Sequence, residues 1–474
     1  MSHRQAMRRQ PAPTAENPAR FDRRTILRGS AAGLAIPTAV VLGMQPAAGA
    51  AIGAAERGVP AVIATEGNDQ VTDSETFDPG RLTQLNAMMA AHIERGRLPG
   101  LVFGISRGGE TIIEAIGTMG FESDAPMQRD AIFRIASVTK PITAVAAFLL
   151  IEDGVVRLDD PVDVWLPELA NRQVLRAIDA PLDDTVPANR PLTLRDLLTF
   201  RAGYGAIFTP PGQSPLAQAL IEANVAAGPF LPTMAPDEFM AAYGQLPLAH
   251  QPGERWLYNT GSDLAGVLIA RASGMSLGAF FQERIFAPLG MEDTGFSIPA
   301  SELDRLPESY WTNFETGKFE VFDSSEGSRF ASPPAFESGA GGLVSTVDDL
   351  LIFGQMMLAN GAYADGGKQL LSQASIALMT TDQLTAKQKA ASTAEFFPGF
   401  FDSHGWGFGM AINTRRDNIW ATPGRYGWDG GYGTSWTVDP AEGLVGVLLT
   451  QRAWDEPGYP ASLADFWTGV YQAV

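Results

Sequence analysis

A serine and a lysine stand three residues apart in the segment that reads Ser-Val-Thr-Lys at 137–140. On a helix, residues i and i+3 share one face, so the amine of Lys140 would lie one turn from the hydroxyl of Ser137. A serine hydroxyl needs a neighbouring base or cation to act as a nucleophile. Pro141 follows directly and indicates a helix start, where backbone N–H groups and a partial positive charge would stabilise a developing oxyanion.

The alternative interpretation of this pair is a helix-capping serine followed by a surface lysine. The helix that follows is long, apolar and nearly free of charge. One lysine retained in the first turn of such a helix is not typical of a solvated face. This context favours the chemical interpretation of Ser137 and Lys140.

Tyr258 is the second candidate, within the stretch PGERWLYNTGSD at 252–263. A tyrosine beside a lysine ammonium can have its pKa lowered enough to act as a general base. The alternative is a core tyrosine ahead of a helix capped by Ser262 or Asp263. Taken alone, the tyrosine favours that structural interpretation.

The third candidate is the glycine-rich stretch GWDGGYGT at 427–434, which enters a strand that ends at Asp439. Glycines on an edge strand let a substrate approach the backbone closely. A backbone N–H in this stretch could complete an oxyanion hole. The alternative is a glycine-rich turn beside an ordinary strand.

Ser106 is a rival nucleophile, because GISRG at 104–108 fits the G-x-S-x-G pattern of α/β-hydrolases. That motif requires a strand, a strained turn and then a helix. A second strand-like run follows Ser106 instead. We therefore interpret Ser106 as a hairpin residue.

The composition excludes several kinds of chemistry. The chain has 474 residues, no cysteine, four histidines and five lysines. Without cysteine there is no disulfide, thiolate nucleophile, iron–sulfur cluster or thiolate zinc site. No local histidine pair could bind a metal, although a Ser-His-Asp triad remains open. We expect a site without metal or cofactor. The net charge of −19 argues against nucleic acid or anionic membrane as a partner and leaves a small-molecule substrate.

Residues 1–50 are typical of an export signal. Adjacent Arg23 and Arg24 precede a 13-residue apolar run at 31–43, and Ala-Gly-Ala at 48–50 offers a cleavage site. The pattern resembles a twin-arginine signal and predicts a periplasmic or secreted bacterial protein that meets the export machinery through this segment. The alternative is a membrane anchor, but 13 residues are too few to span a bilayer. No later segment has 18 uninterrupted apolar residues, so we expect no stable membrane insertion after signal removal.

The remaining chain divides into a lead-in and one hydrolase domain. Residues 51–78 are rich in Ala, Gly and Glu and predict a flexible lead-in, and the domain covers 79–474. Hydrophobic periodicity predicts a helix over 79–96, a hairpin of 101–106 with 111–116, and a long helix within 133–153. Further predicted helices are 193–200, 236–243, 262–273, 277–286, 346–359, 372–379 and one from 461, and the predicted later strands are 406–412, 434–439 and 444–451.

The order of these elements predicts an α+β fold. Strands occur near both chain ends with no βαβ alternation, so one antiparallel sheet would be built from 79–154 and 338–474 and flanked by helices. The mostly helical segment 155–337 would form an inserted lobe. A cleft is expected between the two lobes.

The order and spacing of the motifs resemble the serine β-lactamase-related, penicillin-recognising enzymes. The branch that the chain resembles most is the class C β-lactamase-like esterases, which are the family VIII carboxylesterases and related transesterases. The resemblance runs from about residue 79 to residue 473. The segments that carry it are FRIASVTK at 133–140, LLTFRAG at 197–203, PLGMEDTGF at 288–296 and GAGGLVST at 339–346.

This resemblance implies a β-lactamase/transpeptidase-like fold and a set of roles. Ser137 would be the acylated nucleophile, Lys140 its activating partner and Tyr258 the general base. The N–H groups of Ser137 and Gly431 would form the oxyanion hole.

Two departures from the family pattern bear on the substrate. The tyrosine motif often reads Tyr-x-Asn, whereas here Thr260 takes the third place and Asn259 the second. The Lys-Thr-Gly motif of many β-lactamases reads Trp-Asp-Gly at 428–430, which removes a cation that would hold an antibiotic carboxylate and adds repulsion from Asp429. Both departures favour an uncharged ester. The candidate oxyanion and substrate-binding residues are Gly431, Trp428, Asp429, Gly430, Asn259 and Thr260.

The sequence therefore predicts an exported serine hydrolase that cleaves carboxylic esters through an acyl-enzyme at Ser137. Alternatives on the same fold are a β-lactamase, a D-amino-acid peptidase and an acyltransferase, with a small-molecule ester or amide as substrate. An alternative from another class is a catalytically silent penicillin-binding or sensor module. The presence of Ser137, Lys140 and Tyr258 together argues against that module.

Overall fold

The computed structural model describes residues 76–474, except 208, 210–211, 229–230, 364–367, 393–398 and 455–457. The predicted export signal and nearly all of the predicted lead-in lie outside the described residues. Within the described residues, no single helix is long and apolar enough to cross a membrane. The bent helix pair Thr260–Ser273 and Leu277–Leu289 meets that test by length and composition.

Helices and strands alternate irregularly along the described chain. The α-helices are α1 (Pro79–Glu94), α2 (Thr139–Glu152), α3 (Leu194–Leu198), α4 (Pro215–Glu222), α5 (Pro236–Gln245), α6 (Thr260–Ser273), α7 (Leu277–Phe281), α8 (Ala287–Leu289), α9 (Val347–Leu358), α10 (Gln373–Met379), α11 (Ala386–Ala391), α12 (Phe400–Ser403) and α13 (Ala461–Ala473). The strands are β1 (Gly100–Arg107), β2 (Glu110–Gly117), β3 (Phe133–Arg134), β4 (Gln173–Leu175), β5 (Thr185–Pro187), β6 (Ser309–Asn313), β7 (Lys318–Asp323), β8 (Val344–Ser345), β9 (His404–Trp406), β10 (Ala411–Asn413), β11 (Tyr426–Gly430), β12 (Thr434–Asp439) and β13 (Leu444–Thr450).

A seven-stranded antiparallel sheet is the largest sheet, with strand order β2-β1-β13-β12-β11-β10-β9. The first hairpin of the domain joins the last strand, because β1 pairs with β13 from Leu101↔Thr450 to Arg107↔Leu444. The prediction of an α+β fold whose sheet is built from both chain ends is therefore confirmed.

Helices cover both faces of this sheet. On one face α1 and α13 bury Leu85, Phe466 and Trp467 against Phe103 of β1. On the other face α9 crosses so closely that a Cβ at Gly104 would lie 2.8 Å from side-chain atoms of the helix. Glycine in β1 is thus required by the packing of α9. The two helical layers keep the central strands away from water.

In the segment between the sheet-forming parts the regular elements are mainly helices, separated by long loops, and α3, α5 and α6 begin and end within a few residues of the predicted positions. Helix α4 was not predicted. The predicted helix over 277–286 is divided: α7 ends at Phe281 and one π-helical turn, Gln282–Phe286, follows. Two short ribbons, β4–β5 and β6–β7, were not predicted. Each ribbon has two strands of three to six residues, and apart from Asp323 no residue of β5 or β7 is buried, so the sequence of these ribbons lacks a strong apolar alternation.

The predicted strand over 406–412 is wrong. The structure has two strands there, β9 and β10, separated by a turn in which Gly409 has a φ of +76°. A Cβ at Gly409 would lie 2.7 Å from the carbonyl oxygen of Lys140, so the turn fits against α2 only as glycine. Strand β11 was also missed, because Gly427 and Gly430 lower its apparent strand propensity.

Candidate active site

Ser137 lies in a short 3₁₀ turn, Ala136–Val138, between β3 and α2. Two contacts hold the approach to this turn. The buried guanidinium of Arg134 donates to the carboxylate of Asp323, and the hydroxyl of Thr434 donates to the carbonyl of Ile135 at 3.0 Å. Ser137 is therefore presented from a turn that is tied to both the β6–β7 ribbon and the central sheet.

The hydroxyl of Ser137 receives two hydrogen bonds. The amine of Lys140 donates to Ser137 Oγ at 2.8 Å, and the hydroxyl of Tyr258 donates to it at 2.9 Å. Tyr258 reaches the serine from 121 residues further along the chain. The structure thus brings together the three residues that the sequence analysis had singled out for catalysis.

Lys140 is fully buried in the first turn of α2. Its Nζ also donates to the carbonyl of Ala340 at 2.6 Å and lies 4.6 Å from the centre of the Tyr258 ring. Burial lowers the pKa of Lys140 to about 7, against the opposing effect of the negative charge on Asp263. A lysine with this pKa is about half unprotonated at pH 7 and can accept a proton there, whereas an ordinary surface lysine is protonated.

Tyr258 lies among aromatic side chains and forms a hydrogen bond with the central sheet. Trp428 Nε1 donates to the Tyr258 hydroxyl at 2.7 Å, and the tyrosine ring packs edge-on against Phe200. Burial raises the pKa of Tyr258, and the hydrogen bonds with Ser137 and Trp428 only partly offset this effect. This direction is opposite to the expected lowering by an ammonium. The reason is that burial of the phenol outweighs the influence of a lysine that is itself depressed in pKa.

Asn259 and Thr260 follow the tyrosine and lie at the start of α6. Asn259 has a φ of +84° and precedes α6 without a side-chain cap. The alternative in which Ser262 or Asp263 caps this helix is wrong, because both residues lie inside it. Thr260 is buried, and its hydroxyl lies 3.3 Å from the hydroxyl of Tyr243. The structure does not bring the Thr260 side chain to Ser137.

The residues of β11 point alternately to its two faces. Trp428 faces Tyr258, whereas the Asp429 carboxylate accepts a 2.5 Å hydrogen bond from Ser435 on the opposite face. Burial raises the pKa of Asp429. The structure therefore keeps the Asp429 carboxylate away from Ser137, where a substrate would lie.

The two glycines at the end of β11 sit beside the nucleophile turn. A Cβ at Gly430 would lie 2.4 Å from the carbonyl oxygen of Ile135, so only glycine allows this approach. Gly431 lies in the turn that leads to β12, its carbonyl accepts from the backbone of Trp454, and a Cβ there would meet open space. The oxyanion role of Gly431 and Ser137 stays a prediction.

Asp263 is the main residue at this site whose role the sequence did not reveal. It is buried inside α6, and its Oδ1 accepts from the Ser338 hydroxyl at 2.6 Å and from the Ala340 backbone at 3.1 Å. The signal available in the sequence was an acidic residue that opens the apolar run LAGVLIA at 264–270. Such a residue is ambiguous between a cap and a buried charge.

Among the residues that the structure describes, no group of three or more His, Asp or Glu side chains could hold a metal ion.

The rival serine, Ser106, accepts hydrogen bonds from Thr111 and Gln355. Ser137 is the serine that contacts both a lysine and a tyrosine.

A fold with this sheet, this inserted helical region and a serine beside a buried lysine and tyrosine defines a β-lactamase-like protein. A family model described as Beta-lactamase matches residues 85–462. The chain therefore belongs to the β-lactamase family, and the resemblance drawn from its motifs is confirmed.

Two similar proteins and one similar solved structure belong to this comparison. Protein Rv1367c of Mycobacterium tuberculosis is 36% identical over 72% of this chain and 83% of the relative. Esterase EstB of Burkholderia gladioli is 30% identical over 80% of this chain and 93% of the relative. Among solved structures, EstCE1, described as a hydrolase with promiscuous acyltransferase activity, has a TM-score of 0.67 and 26% identity, and the match covers 82% of this chain and 98% of that one. These similarities point to the esterase and acyltransferase members of the family.

Proposed function

We propose that this protein is an exported serine hydrolase that cleaves carboxylic esters through an acyl-enzyme at Ser137. The observation that carries the proposal is the pair of hydrogen bonds that Ser137 Oγ receives from Lys140 and Tyr258. The similarity to esterase EstB supports an ester as substrate. No cofactor enters the proposed reaction.

Acylation uses the lysine as base. Lys140, with its pKa of about 7, takes the proton of Ser137 as Oγ attacks the ester carbonyl. The N–H groups of Ser137 and Gly431 stabilise the oxyanion. When the carbon–alkoxide bond breaks, Tyr258 donates its proton to the departing alcohol. The site is then left with an acylated serine, a lysine ammonium and a tyrosine phenolate.

Deacylation restores the starting protons. The Tyr258 phenolate takes a proton from a water molecule, which attacks the acyl carbonyl. The bond to Ser137 Oγ breaks, and the Lys140 ammonium returns its proton to the serine. The Trp428 Nε1–H, which donates to the Tyr258 oxygen, stabilises the phenolate between the two steps.

The residue at 428 supports an uncharged ester over a β-lactam. Trp428 stands where many β-lactamases carry a lysine, and its ring nitrogen is engaged by Tyr258. Tryptophan provides no positive charge to hold a substrate carboxylate. Substrates that depend on such a cation should therefore be turned over more slowly than neutral esters.

The direct test is the intact mass of the mature protein after brief reaction with a panel of p-nitrophenyl esters and nitrocefin. We expect an acyl adduct at Ser137 with a short-chain ester, and no adduct in Ser137→Ala. Turnover of nitrocefin or of a D-Ala-D-Ala peptide well above ester turnover would instead favour the β-lactamase or peptidase alternative. Lack of any adduct, including one from a fluorophosphonate, would favour the silent binding module.

Acyl transfer is the second candidate function. The acyltransferase activity in the description of EstCE1 supports it. An alcohol acceptor would replace water in the deacylation step, with the same proton movements. The product ratio of new ester to free acid, measured with increasing alcohol, distinguishes transfer from hydrolysis.

The export part of the proposal depends on residues 1–50. We expect fractionation of expressing bacterial cells to recover the protein in the periplasm or medium. Replacement of Arg23 and Arg24 by lysine should retain it in the cytoplasm. Equal distribution of the two forms would contradict twin-arginine export.

A further inference from the structure

Asp263 is a buried carboxylate whose hydrogen bonds go to neither Ser137 nor Tyr258. It accepts two hydrogen bonds, from the Ser338 hydroxyl and the Ala340 backbone N–H, at 2.6 and 3.1 Å. Both donors lie in one short segment between β7 and β8. The carboxylate therefore holds that segment against α6.

The same segment holds Lys140 from its other side. The Ala340 carbonyl accepts from Lys140 Nζ at 2.6 Å, while the N–H of the same residue donates to Asp263. Ala340 therefore contacts both side chains. The neighbouring Gly339 carbonyl accepts from Thr143 of α2 at 2.7 Å. A Cβ at Gly339 would lie 2.6 Å from the Ser262 carbonyl, so the segment fits tightly between α2 and α6. Asp263 and Lys140 are thus joined through residues 338–340.

We propose that Asp263 is a positioning residue for Lys140: its carboxylate holds the Ala340 carbonyl in place and puts a negative charge near the buried amine that takes the Ser137 proton. The inference rests on the proposed function, because it assigns Lys140 the role of base. It adds a residue that acts through the Ser338–Ala340 segment.

Few charged or titratable groups surround the buried amine of Lys140. Burial lowers the pKa of Lys140, and the negative charge on Asp263 of α6 opposes this effect. Burial also raises the pKa of Asp263, and the hydrogen bonds from Ser338 and Ala340 and the nearby Lys140 oppose that rise. Tyr258 lies against the amine, Tyr243 of α5 interacts with Asp263, and Asp429 of β11 interacts with Tyr258. Asp263 is the charged group among these that acts directly on the lysine. Its loss should let burial lower the lysine pKa further.

Two substitutions at this position separate charge from hydrogen bonding. Asp263→Asn removes the charge but keeps an oxygen that can accept from Ser338 and Ala340. Its acid limb of kcat/KM, which lies near pH 7 if it reports Lys140, should move to lower pH by about one unit. Asp263→Ala also loses both hydrogen bonds, so the limb should move and kcat at the plateau should fall about tenfold or more.

Asp349 provides the matched control. It is also a buried carboxylate, and it accepts from the Asp293 backbone and the Thr294 hydroxyl rather than from the Ser338–Ala340 segment. Asp349→Asn should leave the acid limb in place, with p-nitrophenyl butyrate as substrate throughout. If removal of a buried carboxylate has only a structural effect, the acid limb of kcat/KM should stay at the same pH.

The outcomes separate this inference from the proposed function. If the unmodified protein forms no ester adduct at Ser137, both are overturned. If it forms the adduct and Asp263→Asn keeps the original acid limb, the positioning role is overturned while the acyl-enzyme stands. If Asp263→Asn does not fold, Ser338→Ala decides: severalfold lower kcat with unchanged KM supports the role, and an unchanged kcat overturns it.

Discussion

Ser106 and Ser137 both occur in sequence patterns that hydrolases use, but their surroundings differ. Ser106 lies near the end of β1, is buried, and accepts from the hydroxyl of Thr111 and the amide of Gln355. Ser137 lies in a turn before a helix and accepts from Lys140 and Tyr258. The first serine has neutral partners that cannot remove its proton at neutral pH. The second has a partner whose pKa is about 7.

This difference shows why the local motif alone does not define the nucleophile. The G-x-S-x-G pattern depends on a strand–turn–helix, and the chain after Ser106 returns as β2. The Ser-Val-Thr-Lys segment leads into α2, so the side chains of Lys140 and Ser137 lie on the same face. The secondary structure that follows each serine determines which residues can reach its hydroxyl.

The largest expected effect separates the two serines directly. Ser137→Ala should lower kcat for p-nitrophenyl butyrate by at least about a thousandfold, because the acyl group loses its acceptor. Ser106→Ala, the matched control, should change it less than about twofold. Comparable losses in both variants, or none in either, would contradict the assignment of Ser137.

The second effect concerns the base. Lys140→Met keeps an unbranched side chain in the buried site and removes the amine, so kcat should fall about a thousandfold. Lys389→Met is a control, because that lysine pairs with Asp382 near the surface. Near-normal activity in Lys140→Met would show that another group takes the serine proton.

A smaller effect is expected at the tyrosine. Tyr258→Phe keeps the ring packed against Phe200 but removes the hydroxyl that donates to Ser137, so kcat should fall about a hundredfold. Burst kinetics would locate the loss in acylation, deacylation or both. Tyr204→Phe removes another buried tyrosine hydroxyl, one that donates to a backbone carbonyl, and should leave kcat unchanged.

The smallest effect tests the link between the sheet and the site. Trp428→Phe removes the ring N–H that donates to Tyr258, which should lower kcat about tenfold and change KM little. Thermal unfolding checks that the variant is folded. A kcat equal to that of the unmodified protein would mean that this hydrogen bond does not support the phenolate.

Much of the fold was predictable because it depends on local pattern. The hairpin β1–β2, the helices α1, α2 and α13 and the joining of both chain ends in one sheet followed from hydrophobic periodicity and turn residues. Two failures, the divided strand over 406–412 and the missed strand β11, occurred where close packing requires glycine. Gly409 separates β9 from β10 against α2, and Gly430 lets β11 approach Ile135, so both sites depend on residues distant in sequence.

The sequence by itself determined the pairing of Ser137 with Lys140, because side chains three residues apart at the start of a helix lie on the same face. Only the tertiary structure decided that Tyr258 and Trp428 lie beside Ser137 and that the Asp429 carboxylate bonds Ser435 on the other face of β11. It further decided that Asp263 contacts the segment whose Ala340 carbonyl accepts from the lysine. It also decided the pKa directions of Lys140 and Tyr258. These depend on burial, which long-range packing creates and local residue spacing does not encode.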